Sequence, residues 1–181
     1  MTGIIDESFT ANITPEEYEA GVEQVIREWG VGLAEFRVER SEMLPGTDGE
    51  YEIDVSARFD ALGVGFLVLI ECKRHKSPIK REVVQVLHDK LRAVGGHKGI
   101  IFATTSFQSG AIEYAQKNGV ALIHFADTRT AIITKRDGAK PELPAGMSPY
   151  VGWLVQWEGT HEAHVPLTDE RRRLVIDLFK R

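Results

Sequence analysis

Three residues of the chain sit where a charged side chain is costly unless it is put to use: Asp54, Glu71 and Lys73. Residues 64–72 read VGFLVLIEC, an almost unbroken apolar run interrupted only at Glu71 and followed by Lys73. That run has the character of a strand covered on both faces. In a strand, side chains two apart leave the same face, so Glu71 and Lys73 emerge together. A charged pair at the end of a buried strand is unfavourable unless it is paired or holds a metal. The preceding segment, 50–59 (EYEIDVSARF), alternates apolar and polar residues and carries Asp54 on its polar face. If the loop joining the two strands has an even number of residues, Asp54 and Glu71 share a face. With a two-residue loop, Leu62-Gly63, they lie directly opposite each other. An odd loop would separate them. Two adjacent carboxylates repel unless a cation lies between them. A hard divalent ion such as Mg²⁺, with Mn²⁺ as a substitute, suits such a pair and keeps open positions for water and phosphate oxygens. It would acidify a bound water and take up charge developing on a phosphate. Lys73 would orient or deprotonate that water, or stabilise the pentavalent phosphorus. The competing reading is a surface salt bridge between Glu71 and Lys73, with Asp54 simply solvated.

The elements that must position these residues can be read around them. Thr14-Pro15-Glu16-Glu17 is a capping box with proline at the first helical position. Tyr18, Val22, Val25 and Ile26 then repeat at helical spacing until Gly30. A strand is expected near 33–39, and 44–49 is a loop by its turn residues. Tyr51, Ile53, Val55, Ala57 and Phe59 are expected to form one face of the next strand. Residues 80–94 predict an amphipathic helix with Val83, Val84, Leu87 and Leu91 inward. A buried strand at 99–103, a helix at 107–118 and a strand at 120–125 follow. Strand–helix–strand–helix–strand order predicts parallel pairing with right-handed crossovers. The fold class is α/β: a mixed central sheet flanked by helices, in the order α-β-β-β-α-β-α-β.

The formal net charge is −5, but the charge is unevenly spread. Residues 1–26 hold six acids and no Lys or Arg, whereas residues 73–81 hold Lys73, Arg74, Lys76, Lys80 and Arg81 and no acid. A phosphate backbone responds to the local field rather than to the average. This basic run begins at Lys73 itself, which makes Arg74, Lys76, Lys80 and Arg81 the candidates for gripping DNA. The single cysteine, Cys72, excludes an internal disulfide framework and a cysteine-rich zinc site, and a reducing cytoplasm fits. No stretch has the apolar length of a membrane span, and no signal-peptide pattern is expected at the N-terminus.

Asp54 followed by Glu71-Cys72-Lys73 resembles the D…(D/E)-x-K signature of the PD-(D/E)xK nuclease superfamily, and more particularly the Mrr-like restriction endonuclease catalytic domain. Tyr18-Glu19 resembles the family's aromatic–Glu step. Glu71-Cys72-Lys73-Arg74 resembles its Glu/Gln-Cys-Lys-Arg step, and Gln85 falls in the helix where related enzymes carry a glutamine. Residues 99–107 with Ala111 and Ala115 resemble its next strand and helix. The resemblance runs from about residue 14 to about residue 125. It implies a restriction-endonuclease-like fold and a Mg²⁺-dependent endodeoxyribonuclease of the restriction or defence kind. Glu19 and Gln85 would support Asp54, Glu71 and Lys73. Ile53, not proline, precedes Asp54, and Asp48 and Glu52 are rival acids. A nuclease-like module that binds DNA or protein without cutting, or a junction or RNA nuclease, stays open beside this reading.

Residues 1–138 are expected to form the nuclease domain. Residues 139–181 form a C-terminal extension, with a linker over 139–146, a strand over 150–157 and a helix over 168–180. The extension fits a late addition to the sheet, a dimer arm or a DNA-contacting element, in that order. Cutting both strands of DNA calls for two centres, which a symmetric homodimer would supply.

Overall fold

The structure is a computed structural model that describes residues 13–127, 150–158 and 161–167. Helix α1 (Pro15–Trp29) begins with the capping box read from the sequence. The Thr14 hydroxyl accepts the Glu17 N–H at 3.1 Å, and the Glu17 carboxylate accepts the Thr14 N–H at 2.6 Å. Tyr18, Val22, Val25 and Ile26 are its buried stripe. The helix ends at Gly30, where the Phe36 ring packs so closely that a β-carbon would lie 2.0 Å from it.

The chain continues through β1 (Ala34–Pro45), β2 (Glu50–Ala61), β3 (Val64–Lys73), α2 (Arg81–Ala93), β4 (Lys98–Ala103), α3 (Ser109–Lys117), β5 (Ala121–Asp127), β6 (Tyr150–Glu158) and β7 (His161–Leu167). The seven strands form one sheet in chain order. β1, β2 and β3 are antiparallel, β3, β4 and β5 parallel, and β6 and β7 return antiparallel. This is the mixed α/β architecture expected, a restriction-endonuclease-like fold. α1 covers one face over a core that includes Val38, Val55, Ile70, Phe102 and Phe125. α2 and α3 cover the other face over Leu69, Leu87, Ile101, Ile112 and Leu122.

Several expectations shift. β1 runs on to Pro45, beyond the 33–39 seen in the pattern. It is an edge strand with only Val38 and Leu44 buried, so its second half has little alternation to read. β7 was not anticipated. Its sequence HEAHVPL is polar and contains Pro166, which an edge strand tolerates because one side makes no ladder bonds. β6 adds the 150–157 strand to the sheet beside β5. The linker at 139–146 and the helix at 168–180 lie outside the described residues.

In β2, Tyr51 and Ile53 pack into the α2 side of the sheet, whereas Val55, Ala57 and Phe59 pack into the α1 side. The five residues therefore do not share a face. β1 changes with it: Val38, opposite Ala57, belongs to the α1 core, and Leu44, opposite Tyr51, belongs to the α2 core. Between the two regimes lies Ser41 in β1, with φ +52°. A residue in the left-handed region re-aims a strand locally. The paired strands swivel at this level, and Asp54 is the β2 residue at the swivel.

Candidate active site

The β2–β3 connection determines which acid meets which. Ala61 pairs with Val64, leaving the two-residue turn Leu62-Gly63. Both turn residues have positive φ, 55° and 77°, the pattern of the hairpin turn whose twist matches its strands. From there the ladder runs to Val55↔Ile70 and stops. One step further in this register, Asp54 faces Glu71. Backbone pairing is replaced there by a side chain: Asp54 Oδ2 accepts the Cys72 N–H at 2.7 Å. The strands thus part at the swivel, and the Asp54 carboxylate bridges them.

Glu71 is 6% exposed, and both its oxygens are engaged. The Lys73 ammonium donates to Oε1, and the Lys90 ammonium, from α2, donates to Oε2 at 3.3 Å. Lys90 also donates to the Glu52 carbonyl at 3.0 Å. Burial raises the Asp54 pKa, and the neighbouring Glu71 carboxylate raises it further, against the pull of the Cys72 N–H, Lys73 and Lys90. Burial alone would lower the Lys73 pKa, but the Glu71 carboxylate outweighs it and the net direction is upward. Glu19, on α1, is also raised, first by burial and then by Asp54. Asp54, at the swivel, acts on Glu19 on one side of the sheet and is acted on by Lys90 from the other.

Asp54, Glu71 and Lys73 are thus brought together, with Glu19 in electrostatic reach. Gln85 lies on α2, half-buried, and makes no side-chain hydrogen bond among the described residues. Asp48 accepts the Tyr51 hydroxyl at 2.6 Å in the β1–β2 loop, and the exposed Glu52 contributes its carbonyl rather than its carboxylate. Glu23 pairs with Arg27 on the helix surface. The Tyr18 ring is core, packed against Phe125. Cys72 points away from Glu71 into the α1-side core, as its alternation predicts.

The basic run forms the connection from β3 to α2. Lys76, Lys80 and Arg81 are exposed, and Arg74 is half-buried. Arg81 also lies over the Tyr114 ring, 5.0 Å from its centroid. His75 is fixed through its backbone: its N–H donates to Thr104 Oγ1, whose hydroxyl donates to the His75 carbonyl, both at 3.2 Å. Thr104 therefore ties the basic loop to the end of β4, and the N-cap of α3 is Gln108.

Lys90 is the site residue that the sequence reading missed. Its signal was present: it lies seven residues after Val83 and three after Leu87, within the inward stripe of α2. A lysine in an apolar stripe calls for a buried acid to meet it.

The donors that a hard cation would find here are Asp54 Oδ1, which has no hydrogen-bond partner among the described residues, and the Glu71 carboxylate. Among the described residues no three His, Cys, Asp or Glu groups converge as a closed metal cage. Mg²⁺ characteristically takes only one or two carboxylates and completes its shell with water and substrate phosphate, so the donor set fits that ion.

A mixed sheet between helices, with two acids and a lysine converging where β2 and β3 part, defines a domain of the restriction-endonuclease-like class. A family model for restriction endonucleases, the Mrr catalytic domain, matches residues 10–132. The chain belongs to that family. A crystal structure described as that of a protein of unknown function, AF1548, is similar at 26% identity and a TM-score of 0.47. The similarity covers 58% of this chain and 56% of that one, so the match spans little over half the length of that protein. No curated protein matches. No helix among the described residues is long and apolar enough to cross a membrane.

Proposed function

We propose that the chain is a divalent-metal-dependent endodeoxyribonuclease of the restriction or defence type, cutting DNA phosphodiester bonds by hydrolysis. The observation that carries this reading is the convergence of Asp54, Glu71 and Lys73 at the parted ends of β2 and β3. Asp54 and Glu71 are the residues that hold Mg²⁺, or Mn²⁺ in its place. When bound, the ion supplies an acidified water and neutralises charge on the phosphate. Lys73 holds the attacking water or stabilises the pentavalent phosphorus with its charge. Glu19 and Gln85 have supporting places: Glu19 through its electrostatic contact with Asp54, Gln85 from its half-buried position on α2. Arg74, Lys76, Lys80 and Arg81 grip the phosphate backbone beside the centre, and a homodimer would present two centres to the two strands. The one cysteine is free and buried, which suits a cytoplasmic protein.

Plasmid cleavage in Mg²⁺ tests this reading. Wild type is expected to nick and linearise supercoiled DNA. Lys73→Met is expected to lose at least about 100-fold in rate, the usual scale for removing a proton-transfer or charge-stabilising group. Equal rates for the two proteins would defeat the assignment of Lys73. A wild type that binds duplex DNA yet cuts no DNA form would identify a non-cleaving module instead. Preferential cutting of RNA or of junctions would move the substrate class.

A further inference from the structure

The residue without a part so far is Lys90. Lys73 and Glu71 leave one strand two residues apart, so β3 itself enforces their contact. Lys90 reaches Glu71 from another element on a long flexible stem, at 3.3 Å, with 19% of its side chain exposed. It has a second anchor, the Glu52 carbonyl at 3.0 Å, which does not depend on Glu71. The charged groups facing this point are Asp54, Glu71 and Lys73, with Lys90 itself among the charges acting on Asp54.

Resting on the metal-dependent reading above, we propose that Lys90 is a displaceable counter-cation: it holds Glu71 Oε2 while the centre is empty, and a divalent ion must evict it to bind. Of the two ammonium groups on Glu71, Lys90 is the one that can leave, since it keeps a partner when it goes. Without Lys90 the buried Glu71 carboxylate would have Lys73 alone among its ammonium partners, on its other oxygen. Lys90 holds the Glu71 carboxylate in place, and its positive charge opposes entry of the metal. A centre guarded in this way fills only at raised free metal concentration.

Calorimetric titration of the full chain with Mn²⁺, without DNA, reads this directly. Lys90→Met removes the charge and keeps much of the stem. It is expected to bind Mn²⁺ roughly tenfold more tightly than wild type, because a like charge within contact distance of the donor is gone. Thermal melts in EDTA are expected to show Lys90→Met less stable than wild type, and its gain on adding Mn²⁺ larger. Lys90→Arg retains the charge and is expected to bind Mn²⁺ as wild type does. Equal or weaker Mn²⁺ affinity in Lys90→Met overturns the assignment of Lys90 while wild-type binding upholds the metal centre. Tenfold tightening in Lys90→Arg also overturns it, since shape rather than charge would then matter. No Mn²⁺ binding by wild type, or binding unchanged in Glu71→Gln, overturns the metal centre and this proposal together.

Discussion

At the scale of the residue, the site is held in a state that costs stability. Burial and the Glu71 carboxylate both oppose ionisation of Asp54. Its folded pKa lies above the unfolded value, so through that window the folded protein binds more protons than the unfolded chain. Stability therefore falls as pH rises from the ordinary carboxyl range through the raised value, and the deficit is fully present above it. Asp54→Asn should remove this deficit, since an amide oxygen still accepts the Cys72 N–H. In EDTA at pH 7 the variant is expected to melt roughly 2–4 °C higher, the scale of ~1 kcal/mol in a chain of this size once solvent screening of a half-buried group is allowed for. The gain should vanish below about pH 4, where the carboxyl is protonated in both states. Mn²⁺ is expected to raise the melting temperature of wild type and not of Asp54→Asn. A variant less stable than wild type at pH 7 in EDTA would show that Asp54 is not strained by its neighbours. Glu71 and Lys73 stand out in the sequence because charge interrupts an apolar strand there, whereas Asp54, one polar residue among several on an alternating strand, is picked out by the family resemblance. Lys90 carried a signal in the inward stripe of α2, but its partner, nineteen positions upstream on another element, was not legible.

At the scale of the element, the β2–β3 hairpin turns sequence spacing into geometry. The even, two-residue turn puts Asp54 opposite Glu71, and the ladder carries that register to the site. The parity of the loop was the one quantity on which the reading of the sequence depended and which alternation alone could not supply. Leu62-Gly63 is compatible with a two-residue turn, but leucine is not the residue such a turn favours. Leu62 has φ +55° and is fully solvent-exposed, so it bears a left-handed backbone without compensating packing. Leu62→Asn is expected to stabilise the protein by ~1 kcal/mol in urea unfolding, because asparagine tolerates this region and Asn-Gly is the favoured pair for such turns. Cleavage should be unchanged, since the turn lies about 26 Å from Asp54 at ~3.3 Å per residue. A loss of stability would mean that Leu62 makes contacts that its exposure does not show. The swivel at Asp54 was illegible for a related reason. EYEIDVSARF alternates perfectly, and alternation predicts one face. A left-handed residue on the partner strand, Ser41, accompanies the change of face, and nothing in the sequence of β2 announces it.

At the scale of the whole molecule, the sheet is continuous from β1 to β7, and β6 and β7, which lie beyond the family-matched residues, are built into it. β6 gives Leu154 to the α1-side core and Val155 to the α2-side core, 8% and 4% exposed. Trp157 packs against the α2-side core, and its carbonyl accepts from Gln116 Nε2 on α3 at 3.2 Å. Opposite β6, β5 is buried on both faces through Leu122 and Ile123, so it is built as an interior strand. Removing residues 139–181 would leave β5 as an apolar edge, a template for pairing with other chains. It would also forfeit the burial of two aliphatic side chains at ~1.5–3 kcal/mol each. That sum is a large part of the ~5–15 kcal/mol by which a domain is stable. The chain ended at residue 138 is therefore expected to aggregate, or to unfold without a cooperative transition, even though it retains Asp54, Glu71, Lys73 and Lys90. Urea unfolding followed by far-UV circular dichroism, alongside size-exclusion chromatography, reads both outcomes. If residues 1–138 are instead soluble, unfold cooperatively and match the full chain in midpoint, β6 and β7 are an attachment rather than part of the fold. The catalytic sheet would then have its true edge at β5, and the stability of the centre would owe nothing to the C-terminal strands.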